Sequence, residues 1–227
     1  MRPRPLGTTG LQVTPVGLGL AALGRPAYID LGRDSDLGPD RDVEALEDRC
    51  HQVLDAAFAA GVRYLDAARS YGRAEEFLAS WLRSRDLDPA ELTVGSKWGY
   101  TYVGGWRMDA DPHEVKDHSL PALTRQTAES SALLGDHLDL YQIHSATLDS
   151  GVLEDRAVLD ELTRLRDQGL VIGLSSSGPA QGATIRRALE LTAAGKAPFA
   201  CVQATWNLLE PSAGSALAEA SQAGWGV

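Results

Sequence analysis

Six short runs of β-branched and apolar residues punctuate the chain: "VGLGLAAL" from Val16, "RYLDAA" from Arg63, "LTVGSKWG" from Leu92, "LDLYQIHS" from Leu138, "LVIGLSSS" from Leu170 and "ACVQATWN" from Ala200. They read as continuous apolar runs rather than alternating ones. A strand that keeps no polar face for water is covered on both sides, the condition of a parallel sheet under helices. The intervening segments supply those helices. Val43, Leu46, Cys50, Val53, Leu54, Ala57 and Phe58 fall on one helical face, with Asp42 placed to cap the start and Gly61 to end it. Similar stripes run through Phe77, Leu78, Trp81 and Leu82, through Val158, Leu162 and Leu165 before Gly169, and through Ile185, Ala188, Leu189 and Thr192 before Gly195. The rhythm is a repeated βα unit.

Repeated βα units point to an α/β fold of the TIM-barrel, (β/α)8 type. Its competitor, an open doubly wound sheet, carries G-x-G-x-x-G in a first turn that opens directly into a helix. Here Gly17 and Gly19 lie inside the first strand, and the next helix pattern starts only near residue 43. The preceding "LGTTGLQVTP" reads as an N-terminal β-hairpin around a Thr-Gly turn, placed to plug the N-terminal end of the barrel. Two loops exceed what a scaffold needs: "GRPAYIDLGRDSDLGPDRD" from Gly24, and the stretch from Tyr100 to Ser119. In a βα barrel, long loops after strands line the active face. The closing "ALAEASQAGWGV" reads as a sixth helix and the start of a seventh strand. About six βα units are therefore expected, in a single, incomplete barrel domain over 1–227, with exposed edges that offer a route to self-association.

With 227 residues, 44% hydrophobic and 23% charged, one sizeable core is within reach. A net charge of −10 argues against nucleic acid or an anionic membrane surface as a partner, because phosphates would be repelled over most of the exterior. No window approaches eighteen consecutive apolar residues, and "MRPRPLGTTG" has no apolar stretch behind its basic residues, so a cytoplasmic protein is expected. Cys50 and Cys201 sit in a helix pattern and a strand pattern, as two free buried thiols.

Against this scaffold, Asp66, Lys97 and His144 each lie near the C-terminal end of a successive strand, the second, third and fourth. In a barrel those ends are neighbours around one mouth. Tyr71 begins the loop after Asp66 and can reach back over it. Taken singly, each has a structural explanation: Asp66 a helix cap, Lys97 an ion-pair partner, His144 a satisfied buried histidine. Taken together they form a proton-delivery group. A lysine beside a tyrosine stabilises the phenolate and lowers a pKa that starts near ~10, and an aspartate keeps that lysine charged and placed. A histidine close by can orient a carbonyl oxygen. A proton donor at an oxygen, with no nucleophile and no metal, is what carbonyl reduction by hydride requires.

The motifs "LGTTGLxV", "GVRYLDAARSYG", "VGSKWG", "DLYQIHS", "GLSSSG" and "VQATWN" together resemble the aldo-keto reductase family, over essentially the whole chain. The resemblance implies a (β/α)8 barrel that binds a nicotinamide cofactor, NADP(H) in preference to NAD(H), without flavin or metal, and acts on a small-molecule carbonyl or alcohol substrate. Asp66, Tyr71, Lys97 and His144 match the family's catalytic tetrad, with Tyr71 as general acid. Ser175, Ser176 and Gln203 match neighbours of the nicotinamide carboxamide, and Gly19 a position near the cofactor. The family commonly has Ser-Asn where this chain has Ser175-Ser176, so one amide contact is exchanged for a hydroxyl. In the family, the portion after the sixth unit carries the ring that stacks on the nicotinamide and the loop that grips the adenosine phosphate. An inactive fragment, and a non-catalytic or regulatory nicotinamide-binding subunit, are the alternatives to an enzyme.

Trp98, Tyr100 and Trp106 follow the third strand and are candidates to wall a substrate pocket, since pockets favour aromatic linings. "HEVKDH" from His113 invites a zinc reading, but read as a helix its histidines, five apart, stand about 140° around the axis rather than on one face. Asp109, Asp111 and Asp117 read as a solvated face, and "GLSSSG" lacks the G-x-S-x-G spacing of a nucleophile elbow.

Overall fold

The computed structural model describes residues 1–27 and 40–227; most of the long loop from Gly24 lies outside the described residues. Strands β1 (Arg4–Pro5) and β2 (Gln12–Val13) pair antiparallel as the N-terminal hairpin. It sits against the N-terminal ends of the main strands. Thr93, which opens β5, donates its hydroxyl to Gln12 O at 2.9 Å, and the N–H of Arg63 donates to Thr14 Oγ1 at 2.9 Å.

Chain order then runs β3 (Leu18–Gly19), α1 (Val43–Ala59), β4 (Tyr64–Asp66), α2 (Ala74–Ser84), β5 (Thr93–Trp98), β6 (Tyr100–Tyr102), β7 (Glu114–Lys116), α3 (Leu120–Leu134), β8 (Leu138–Ala146), α4 (Arg156–Asp167), β9 (Val171–Ser176), α5 (Gln181–Ala193), β10 (Cys201–Gln203) and α6 (Gly214–Gln222). The sheet order is β10-β9-β8-β5-β4-β3, every pair parallel. Each new main strand is added beside the previous one, always on the same side. A doubly wound sheet reverses this direction once and creates a switch point; this sheet does not. The result is a curled half-barrel of six parallel strands with helices outside. Beyond β10, Gly226 already bridges to Cys201 in the same parallel sense.

Local chemistry sets the helix starts. Asp42 accepts from the N–H of Ala45 at 2.8 Å at the start of α1, and Asp155 accepts from Ala157 and Val158 at α4. The apolar stripes meet the outer face of the sheet, where Leu54, Phe77, Trp81, Leu162, Leu165 and Ile185 join Val94, Ile143, Ile172 and Leu174 in one buried cluster. Truncating one of these large side chains to alanine is worth about 2–5 kcal/mol. On the inner face the packing depends on absent side chains: a Cβ on Gly17 would lie 2.5 Å from the Tyr64 ring.

The stretch from Tyr100 to Ser119, expected as a loop, contains a second antiparallel hairpin, β6 with β7, in register Tyr100↔Lys116 and Tyr102↔Glu114. The "HEVKDH" segment is thus strand and strand exit, not helix. Among the described residues, no helix is long and apolar enough to cross a membrane.

Candidate active site

Parallel pairing aligns the C-terminal ends of the strands, Gly19 opposite Asp66 and Asp66 opposite Gly95, so β3, β4 and β5 present their ends side by side. The chain after Asp66 is fixed by backbone bonds to β5: Ala67 N–H donates to Gly95 O at 2.8 Å and Arg69 N–H to Lys97 O at 2.9 Å. A turn closed by Tyr71 N–H to Ala68 O at 3.0 Å brings the tyrosine back over the strand ends. Gly72 takes φ +63° and packs against the backbone of Gly24, and Arg73 N–H donates to Gly24 O at 2.7 Å.

The structure brings Asp66, Tyr71, Lys97 and His144 together. Lys97 is 2% exposed and its ammonium donates to Asp66 Oδ2 and, at 3.1 Å, to Ala67 O. Its third contact is the Tyr71 hydroxyl, at 3.5 Å. Burial works to lower the Lys97 pKa, but the Asp66 carboxylate and the Tyr71 phenol outweigh it, and the net shift is upward. The lysine stays charged where it touches the phenol. The Tyr71 and His144 rings meet edge to face with centroids 5.5 Å apart, and His144 Nδ1 lies 3.3 Å from Ser70 Oγ. Burial, then the charges of Lys97 and Arg25, push the His144 imidazole down to about 3, so the ring is neutral at physiological pH.

Several contributors carried no sequence signal for this site. Arg25, 3% exposed, places its guanidinium 5.4 Å from the Tyr71 ring centroid, donates to Ser70 O at 3.1 Å and pairs with Glu114 at 3.0 Å. His118 Nε2 lies 2.9 Å from His144 O, and burial takes that imidazole down to about 4. Beneath the Tyr71 loop, buried Glu75 accepts from Ser96 at 2.5 Å and Ser130 at 2.7 Å and pairs with Arg69. This carboxylate therefore joins α2, β5, α3 and the loop that carries Tyr71. Apart from the Arg69–Glu75 pair, six residues apart, these partnerships span distant parts of the chain, which no local pattern records.

Gly19, Asp66 and Gln203 line one concave cleft of about 520 Å³ on the inner face, together with Tyr64, Gln142 and Cys201. Ser175 and Ser176 end the neighbouring strand β9 and are not among its lining residues. Ser175 Oγ accepts from the N–H of Ser145 at 2.8 Å, whereas the buried Ser176 Oγ has no partner. Gln203 is exposed, and the space a Cβ on Gly19 would enter is open. Within the cleft, the Gln203 amide beside the open space at Gly19 can both donate and accept, as a carboxamide partner requires.

Of the three aromatic candidates, only Tyr100 touches one of the four central residues, its ring 5.0 Å from that of His144. Trp98 is fully buried against His118. Trp106 turns to the α1–α2 side, donating to Arg41 O at 2.9 Å and packing on Phe77. Among the described residues, no group of three or more His, Cys, Asp or Glu side chains is placed to hold a metal ion, and both cysteines are free and buried.

The profile of the Aldo/keto reductase family matches residues 15–227. Among curated sequences, the uncharacterised oxidoreductase YqkF of Bacillus subtilis is 29% identical over 184 residues, 79% of this chain and 50% of that protein. Pyridoxal 4-dehydrogenase of Microbacterium luteolum is 30% identical over 162 residues, 62% of this chain and 42% of that one. The chain spans about half the length of the curated relatives it matches. Among solved structures, PA4992 of Pseudomonas aeruginosa superposes with a TM-score of 0.72 at 27% identity, over 99% of this chain and 75% of that chain.

Proposed function

The chain belongs to the aldo/keto reductase family, and on that premise we propose that its site reduces an aldehyde or ketone to the alcohol, or runs the reverse, using a nicotinamide dinucleotide, NADP(H) in preference to NAD(H). The observation that carries the reading is the buried ammonium of Lys97, held by Asp66 and 3.5 Å from the Tyr71 hydroxyl, beside a neutral His144. When bound, the cofactor supplies or accepts the hydride at the carbonyl carbon. In reduction, Tyr71 gives its hydroxyl proton to the carbonyl oxygen, and the adjacent Lys97 ammonium stabilises the phenolate left behind. Asp66 keeps that ammonium charged and in place. With Nδ1 engaged by Ser70, His144 offers its other ring nitrogen to orient the substrate oxygen. Ser176 and Gln203 hold the carboxamide end of the cofactor, Ser175 fixes the neighbouring backbone, and the small Gly19 leaves the cofactor room. Tyr100 forms part of the substrate wall, backed by His118 and behind it Trp98, whereas Trp106 packs away from it on Phe77.

The test is steady-state reduction of an aromatic aldehyde by NADPH and by NADH, alongside quenching of tryptophan emission on cofactor binding. Turnover lost in Tyr71→Phe with binding kept supports the reading. Cofactor binding without turnover in the unmodified chain points instead to a nicotinamide-binding subunit.

A further inference from the structure

The segment His113–His118 places three polar side chains on the substrate side of the site. Strand β7 alternates, so Glu114 and Lys116 share one face while Val115 points the other way and is exposed. His118 continues the same series past the strand end. Each of the three reaches the site. Glu114 pairs with the Arg25 guanidinium that stands by Tyr71. His118 contacts the carbonyl of His144. Lys116 Nζ donates to Ser145 O at 2.9 Å and stands 5.6 Å from the centroid of the Tyr100 ring, which packs against His144.

Two of these groups are electrically satisfied. Glu114 and Arg25 neutralise each other, and His118 is neutral at physiological pH because it is buried. Lys116 differs: among the described residues no carboxylate lies within ion-pair distance of its ammonium, which has one hydrogen on a neutral carbonyl and two more to give. Among the described residues, Lys97 pairs with Asp66 and Arg25 with Glu114. The Lys116 ammonium thus stands beside the site without an ion-pair partner among the described residues, on a chain whose net charge is −10. Local placement of that kind attracts an anion that the rest of the surface repels.

We propose that Lys116 holds a carboxylate on the substrate, with the Tyr100 ring covering the carbons between that carboxylate and the reacting carbonyl. The substrate class is then an aldehyde or ketone carrying one carboxylate: one unpaired ammonium matches one negative charge, where a phosphate dianion would call for a second cation. This inference rests on the carbonyl-reduction reading and adds its substrate class.

Three forms of the full chain, unmodified, Lys116→Gln and Lys116→Arg, are compared on 4-carboxybenzaldehyde and its neutral methyl ester. The expected result is a preference for the carboxylate. Lys116→Gln lowers the ratio of the two kcat/KM values at least tenfold, chiefly through KM, and Lys116→Arg retains most of it. A ratio unchanged by Lys116→Gln, or a preference for the ester in the unmodified chain, overturns the proposal. Should neither aldehyde turn over, the reduction reading fails, and binding decides the anion site separately through tryptophan emission with benzoate and benzamide. Tighter binding of benzoate, lost in Lys116→Gln, upholds the carboxylate site; equal binding, or none, overturns it.

Discussion

Gly24 and Gly72 meet backbone to backbone: the carbonyl oxygen of Gly24 occupies the space a side chain on Gly72 would need, and Gly72 takes a left-handed φ of +63°. That crossing sets the height of Tyr71, the residue before Gly72, over the strand ends. Gly72→Ala is expected to destabilise the fold by about 1–3 kcal/mol through overpacking and backbone strain. Because a displacement on the order of 1 Å can cost a hundredfold in rate, carbonyl reduction should fall more than tenfold. Urea denaturation and initial rates check both; a destabilised variant with unchanged kcat would remove the positioning role.

Tyr71→Phe deletes the hydroxyl 3.5 Å from Lys97 and keeps the ring against His144. A positioned general acid contributes about 10²- to 10⁴-fold, so kcat should drop by that amount while cofactor affinity stays close to its original value. Large loss of affinity with turnover intact would refute the assignment.

Asp66→Asn leaves the Lys97 ammonium buried without its counter-charge. Removing one partner of a buried pair costs about 3–5 kcal/mol, and the unfolding midpoint should fall accordingly. The double variant Asp66→Asn with Lys97→Met removes the orphaned charge and should recover part of the loss. Failure of the second change to recover anything would mean that the pair is not the source of the stability.

Burial holds His144 and His118 at pKa values of about 3 and about 4, below an unfolded value near 6.5. As the pH falls below about 6.5 the unfolded chain takes up protons that the folded chain refuses. The stability these rings contribute is therefore complete above about pH 6.5 and declines towards pH 4 and below. Urea midpoints at about pH 8 and about pH 5 should show the drop, and His118→Gln should flatten it. An equally steep profile in His118→Gln would show that other groups set the pH dependence.

The main strands and four of the helix stripes could be read from sequence because each depends on local pattern. Continuous apolar runs mark strands covered on both faces, and Asp42 and Gly61 mark the ends of α1. Helix α3 was harder to see for a physical reason: its buried face carries Gln126, Thr127 and Ser130, which break the apolar stripe. Gln126 is buried to accept from the N–H of Gly99, and Ser130 to donate to Glu75. The β6–β7 hairpin leaves little local signal because its inner face is polar and meets the strand ends rather than a core. At the site, Asp66, Lys97 and His144 were visible because strand ends place them. Arg25, Glu75, Lys116 and His118 take their positions from partners far along the chain.

The β6–β7 hairpin leaves the sheet at Gly99 and closes at Asp117, ahead of α3, where the Asp117 N–H donates to Gly99 O at 2.9 Å. Its two ends are therefore neighbours, and a connection between neighbouring points changes length at small entropic cost, about 0.6 kcal/mol per doubling. The hairpin is an exchangeable part: a segment of different length or charge grafted between Gly99 and Asp117 would meet the same Asp66, Tyr71, Lys97 and His144. On the proposed function, chemistry and selectivity could thus diverge separately, the one held by strand ends and the loop after β4, the other carried on a detachable arm.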